Sequence, residues 1–283
     1  MLIWTLAAAV GGALLIDRAA LMTLRPPSSG PDRDAADLGY PCSSIDVDSG
    51  GFTIRGDLIE PVAAAPSAPI CVLVHGWTGT ASTMLALAEP LLHVGVPVLV
   101  FDVRSHGRSD RAPAVTVRHF RDDLTRVVQH LREIRPGRRV VVVGHSLGGA
   151  AAILACARGA PIEGLALVAA PADLFETTAG FFSDRGLPGG FLTRLFHPSW
   201  RLRAGESFRG LDPEARAREL AEGLPITIVQ GGRDTRVSPA QADRLSKASG
   251  ADVVLVPDAG HRDILIAPAL HDELIRFLGS PVA

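Results

Sequence analysis

Short apolar runs alternate with amphipathic stretches along most of the chain. Ile70–Val74 (ICVLV), Val96–Phe101 (VPVLVF), Val140–Val143 (VVVV), Gly164–Val168, Ile226–Val229 and Val253–Val256 are almost unbroken in their hydrophobicity. Runs of that length and β-branched content predict strands buried on both faces of a parallel sheet. Between them, Ser82–His93 carries Leu85, Leu87, Leu91 and Leu92. Thr116–Ile134 places Phe120, Leu124, Val127, Val128, Leu131 and Ile134 on one helical face and stops at Pro136-Gly137. Strands alternating with helices predict a doubly wound α/β architecture. Ser43–Val47 and Phe52–Ile59, joined by Asp48–Gly51, predict an antiparallel hairpin at one sheet edge.

Two stretches break the rhythm. Met1–Ile16 has no charged side chain, and a helix of that length spans ~24 Å, short of the ~30 Å hydrocarbon layer. Continued through Asp17-Arg18 to Leu24 it reaches ~36 Å, with its ionisable groups toward one end where an arginine can snorkel. Nothing basic precedes the run, whereas Arg18, Arg25 and Arg33 follow it. The leading expectation for residues 1–25 is therefore a membrane anchor that leaves the rest of the chain on the cytoplasmic side. A cleaved signal on a secreted protein, or a helix packed on a soluble one, are the alternatives. Residues 26–42, rich in Pro, Ser, Gly and Asp, read as a linker to a domain over 43–279. The second break is 171–223, which has no clear strand and holds six of the ten phenylalanines. An insertion there predicts a lid at the carboxyl edge of the sheet. Phe175, Phe181, Phe182 and Phe196 are its candidate substrate-binding residues, with a small core of the lid's own as the competing role.

The chemistry centres on Val140–Gly149 (VVVVGHSLGG). The run ends in Gly144-His145-Ser146-Leu147-Gly148, a G-x-S-x-G pattern, and continues as the small-residue helical stretch Ala150–Ala157. Strand, tight turn and helix together predict a nucleophile elbow that lifts the Ser146 hydroxyl clear of the sheet. A serine hydroxyl needs a base, and the base needs an acid behind it. His261, in the loop after the last strand, is the candidate base. Asp234, in Gln230-Gly-Gly-Arg-Asp234 just past the strand at Ile226–Val229, is the stronger candidate acid, and Asp173 is its rival. The oxyanion requires two N–H donors, for which the backbones of Leu147 and Trp77 are the candidates. His75 and His145, each beside a glycine, are expected to support loops through hydrogen bonds.

Composition narrows the partners. A formal net charge of −2, with Lys247 the only lysine and arginines scattered, provides no electrostatic footprint for nucleic acid. Cys42, Cys71 and Cys156 are far apart, and no CxxC or HExxH motif suggests a metal.

Taken together, HGWTG (75–79), FDVRSHGRSD (101–110), GHSLGG (144–149), QGGRD (230–234) and DAGH (258–261) resemble the α/β-hydrolase superfamily. The chain is most similar to the branch holding bacterial esterases, monoacylglycerol-lipase-like lipases and serine aminopeptidase-like hydrolases. The resemblance implies an eight-stranded, mostly parallel sheet with helices on both faces, a short helical lid, and a triad of Ser146, Asp234 and His261. The branch's usual glycine before the histidine of the second motif is replaced by Ser105. The expected function is a serine hydrolase cleaving a small-molecule ester with an apolar acyl part, through an acyl-enzyme and without a cofactor. Peptidase, thioesterase or acyltransferase chemistry on the same triad, or a non-catalytic binding protein of this fold, are the alternatives.

Overall fold

The computed structural model describes residues 2–27, 33–63, 68–206, 208–220 and 222–279. The chain runs α1 (Leu2–Thr23), β1 (Cys42–Asp48), β2 (Thr53–Ile59), β3 (Ile70–Val74), α2 (Ala81–His93), β4 (Val98–Phe101), α3 (Val117–Ile134) and β5 (Val140–His145). It continues as α4 (Leu147–Ala157), β6 (Leu165–Val168), α5 (Leu174–Ser183), α6 (Gly189–Ala204), α7 (Pro213–Ala217), β7 (Ile226–Gly231), α8 (Pro239–Ser249), β8 (Val253–Val256) and α9 (Pro268–Gly279). The eight strands form one sheet in the order β1-β2-β4-β3-β5-β6-β7-β8. β2 runs against both its neighbours, and the remaining pairings are parallel, as the apolar runs and the edge hairpin predict.

The valines of β5 show why that strand sits at the centre. Val140 and Val142 belong to one buried cluster, with Phe120 and Leu124 of α3 and Ile153 of α4. Val141 and Val143 belong to the other, with Leu85 and Leu91 of α2 and Leu270 and Leu274 of α9. Alternate side chains thus feed both helical layers, each burial contributing roughly 1.5–3 kcal/mol. No polar residue could occupy any of the four positions without losing that term.

Residues 171–223 contain no strand among those described and fold as α5, α6, α7 and a short 3-10 turn over the carboxyl edge. Phe182 and Phe196 form a small core there, packed with Trp200, Phe181, Leu192 and Leu195. Ala20 of α1 is buried in the same cluster. Trp200 Nε1 donates to the Ala20 carbonyl at 3.2 Å and to Thr23 Oγ1 at 3.0 Å, and Arg203 pairs with Asp17. The end of α1 therefore packs on the lid, and among the described residues no helix is long and apolar enough to cross a membrane. Part of the 26–42 stretch is ordered on the domain. Asp34 caps a 3-10 turn at Ala35–Leu38, and Ala35 is buried beneath α2. Residues 28–32 of that stretch lie outside the described residues.

Candidate active site

Ser146 stands between β5 and α4 with φ 53° and ψ −123°, a left-handed conformation that costs a serine about 1–3 kcal/mol. The surroundings enforce it. Its N–H donates to the Val168 carbonyl on the neighbouring strand at 2.9 Å, and its carbonyl accepts from Gly149 N at 2.9 Å. A Cβ on Gly144 would lie 2.5 Å from the Gly149 Cα, and one on Gly148 2.4 Å from the Val74 carbonyl oxygen. The strand and helix cross too closely for any side chain at those two positions. The elbow is thus a packing consequence of G-x-S-x-G.

Two other strand ends supply the groups that face the hydroxyl. Asp234 follows β7 and His261 follows β8. His261 Nε2 accepts from Ser146 Oγ at 3.1 Å, and His261 Nδ1 donates to Asp234 Oδ2 at 2.8 Å. Burial works against ionisation of Asp234. The His261 imidazole, and the N–H groups of Arg236 and Val237 donating at 2.9 Å each, outweigh it and hold the carboxyl below the usual carboxylate range. An ionised Asp234 fixes the Nδ1–H tautomer, leaving Nε2 free to take the serine proton.

His145 and His75 act as supports. His145 Nε2 donates to the His261 carbonyl at 2.8 Å, and the two rings lie 5.0 Å apart. Burial, and then the neighbouring His261, push His145 down to about 3, so it stays neutral beside the base. His75 Nδ1 donates to the Gly76 carbonyl at 2.8 Å while its Nε2 accepts from Val103 N at 3.1 Å. In a trans peptide the Gly76 carbonyl and the Trp77 N–H point oppositely, so His75 fixes which way Trp77 N–H faces. Gly76 itself lies against Ser146, where a Cβ would sit 3.4 Å from Oγ. Leu147, as the first residue of α4, has a backbone N–H with no partner inside the helix.

Asp173, the rival acid, has a different task. It caps α5, accepting from Phe175 N at 2.8 Å and Glu176 N at 3.0 Å, and its other oxygen lies 3.6 Å from Arg244. Asp258 pairs with Arg233 at the surface. The second motif is structural. The Asp102 carboxylate accepts from Ala81 N and Arg108 N, and Arg104 forms a buried pair with Asp123. Ser105 adopts φ 65°, the left-handed conformation for which glycine is the natural occupant, and its Oγ accepts from Ala112 N at 2.8 Å.

Above Ser146 opens a cavity of about 820 Å³ between the sheet edge and the lid. Phe175, Phe181 and Phe182 line it as expected. Phe196 does not. It is 8% exposed and turns into the lid's own core, because an amphipathic lid helix must bury one apolar face away from the cavity. Trp77 lines the cavity and stacks on Phe120 at 6.4 Å. Lining residues that the sequence pattern did not single out include Thr23 at the end of α1, Leu24 just beyond it, and Thr193 and His197 of α6. Their contacts are remote in sequence, and a linear pattern carries no signal for them. Among the described residues no group of three or more His, Cys, Asp or Glu is arranged to hold a metal ion.

Comparison with known proteins follows the same lines. The model of the alpha/beta hydrolase family matches residues 71–274. A zebrafish (Danio rerio) protein described as sn-1-specific diacylglycerol lipase ABHD11 is 31% identical over 123 residues, 43% of this chain. That match spans only about a third of the lipase's own length, 34%. An uncharacterized protein of Mycobacterium tuberculosis is 26% identical over 262 residues, covering 89% of this chain and 84% of that one. Among solved structures, the Pyrococcus furiosus esterase Pf2001 superposes with a TM-score of 0.74 at 22% identity, over 92% of this chain and 98% of that one. Est1E from Butyrivibrio proteoclasticus, with ferulic acid bound, gives a TM-score of 0.65 at 21% identity, over 83% of this chain and all of that one. At these identities the structures share the fold.

Proposed function

Since the chain belongs to the alpha/beta hydrolase family, we propose that it is a serine hydrolase cleaving carboxylic esters of modest size with an apolar acyl part. The carrying observation is the continuous relay from Asp234 through His261 to Ser146, 2.8 Å and then 3.1 Å, opening into the cavity under the lid.

Ser146 Oγ attacks the ester carbonyl carbon as its proton passes to His261 Nε2. The negative charge on the carbonyl oxygen is taken up by the N–H groups of Trp77 and Leu147, each worth about 10²–10³ in rate. Collapse of the tetrahedral adduct breaks the bond to the alcohol, which leaves with the proton from His261. Water then gives a proton to His261 and attacks the acyl-serine. Ser146 recovers its proton as the carboxylic acid departs. Asp234 stays ionised throughout and stabilises the imidazolium. The lid side of the cavity, lined by Phe175, Phe181 and Phe182, suits a hydrocarbon acyl group. The ester named in the zebrafish relative's description supports ester over amide.

A fluorophosphonate probe tests the reading. The wild type should be labelled, and Ser146→Ala should be unlabelled and inactive on p-nitrophenyl esters. Equal labelling of both proteins would remove Ser146 from the chemistry.

A further inference from the structure

We propose that the end of α1 and the residue after it are part of the acyl-binding site: Thr23 and Leu24 close the apolar end of the cavity and set the longest acyl chain it accepts. The assignment rests on the ester reading above and goes beyond it, since the family model begins only at residue 71. This wall lies outside the residues that the family model matches.

Position supports it first. Thr23 and Leu24 face the cavity together with Val115 and Val117 at the start of α3, and with Phe182 and Trp200 of the lid. Apart from the hydroxyls of Thr23 and Thr116 and the indole of Trp200, that end is hydrocarbon. Toward α2 the character changes. Ser82 and Thr83 line the cavity beside Arg33, and Thr78 accepts from Arg262. A carbon chain attached to the acyl-serine gains by lying toward α1, while a polar leaving group suits the other end.

The fastening supports it second. On the core side, Val115 N donates to the Leu24 carbonyl at 2.8 Å, and Arg25 Nε donates to the Pro113 carbonyl at 3.3 Å. On the lid side, Trp200 Nε1 donates to Thr23 Oγ1 at 3.0 Å, and Ser199 Oγ donates to Asp17 Oδ1 at 2.6 Å. Arg203 grips both oxygens of Asp17 at 2.7 Å each. A wall tied at both edges cannot swing aside to admit a longer chain, so chain length is limited by side-chain volume at Leu24.

A p-nitrophenyl ester series from acetate to dodecanoate reads this directly, on the full chain. Each buried methylene raises kcat/KM by about fourfold until the wall is reached, after which the gain stops. Leu24→Trp fills the end of the cavity and should lower the octanoate-to-acetate ratio of kcat/KM by roughly tenfold or more. Leu24→Ala should move the optimum toward longer chains. Fluorophosphonate labelling of Ser146 reports that each variant retains a folded site. An optimum that stays put in both labelled variants, or a loss uniform along the series, overturns the proposal.

Binding separates this claim from the ester reading. Calorimetric titration of octanoate and dodecanoate into Ser146→Ala, with and without Leu24→Trp, needs no turnover. Dodecanoate affinity should fall with Leu24→Trp more than octanoate affinity does, and equal affinities with and without the change would sink the wall. Absence of hydrolysis along the whole series by the wild type would count against the ester reading alone.

Discussion

Asp234 is held between opposing pressures, and its behaviour with pH follows from them. Burial favours the neutral acid, whereas the imidazole and two backbone N–H groups favour the carboxylate and prevail. Its folded value therefore lies below the ~3.9 of an unfolded aspartate. A carboxylate with a depressed folded value contributes stability that is complete above about pH 4 and is lost as pH falls through the folded value. Asp234→Asn should lower the melting temperature at pH 7, where that contribution is complete, and differential scanning calorimetry checks it. The same substitution leaves His261 without the anion that orients it. A fall in kcat of about 10³–10⁴, with KM nearly unchanged, is expected on a p-nitrophenyl ester. Loss of less than tenfold would show that the imidazole is oriented by something else.

Elements rather than residues decide the rival acid and the reach of the lid. Asp173 sits at the end of a loop leaving the sheet edge, as a catalytic acid could, yet α5 begins one residue later and takes its carboxylate as a cap. Asp173→Asn, which can still cap, should cost well under ~1 kcal/mol of stability. It should leave kcat within a few-fold, and a loss comparable to that of Asp234→Asn would move the acid to β6. This contrast marks what was legible in the sequence. β5 and the elbow were, because Val140–Val143, Gly144 and Gly148 act on their immediate chain neighbours and on packing that any parallel strand meets. The order Ser146, Asp234, His261 was, because each follows a strand run. Phe196 was misplaced for a physical reason, since composition does not tell which face of a lid helix looks inward. Residues 17–24 were ambiguous for a related one. Ala20 is buried only because Trp200 is there, 180 positions away, and neither neighbourhood in sequence contains the other. Ser105 shows the reverse case, in which one departure from a familiar motif points to a backbone position held at φ 65°.

The whole molecule carries a liability to acid that no single element reveals. His75 is fully buried, and its Nε2 accepts a hydrogen bond from Val103 N, which a proton there would destroy. Burial first, and then the neighbouring His106, hold it well below the ordinary histidine value. His145, buried beneath the His261 loop, is pushed down to about 3. His119 accepts from Thr116 N at the start of α3, and burial and then Arg104 bring it to about 4. In the unfolded chain each titrates near 6.5. Below that pH the unfolded state binds protons that the folded state refuses, so stability falls as pH falls. Each such group contributes roughly 1.4 kcal/mol per pH unit once the unfolded form is protonated. His75 and His145 alone give roughly 3 kcal/mol per unit, set against a total of about 5–15 kcal/mol for a folded domain. A loss of that size brings a domain in the lower part of that range to cooperative unfolding between about pH 5 and 4. It should appear as coincident loss of far-ultraviolet circular dichroism and tryptophan fluorescence, with melting temperatures already declining from pH 7 to 5. His145→Gln keeps an N–H able to reach the His261 carbonyl and removes the titration, so its stability should decline less steeply through the same range. A wild type that remains folded and melts cooperatively at pH 3 would mean that the buried imidazoles accept protons without leaving their sites.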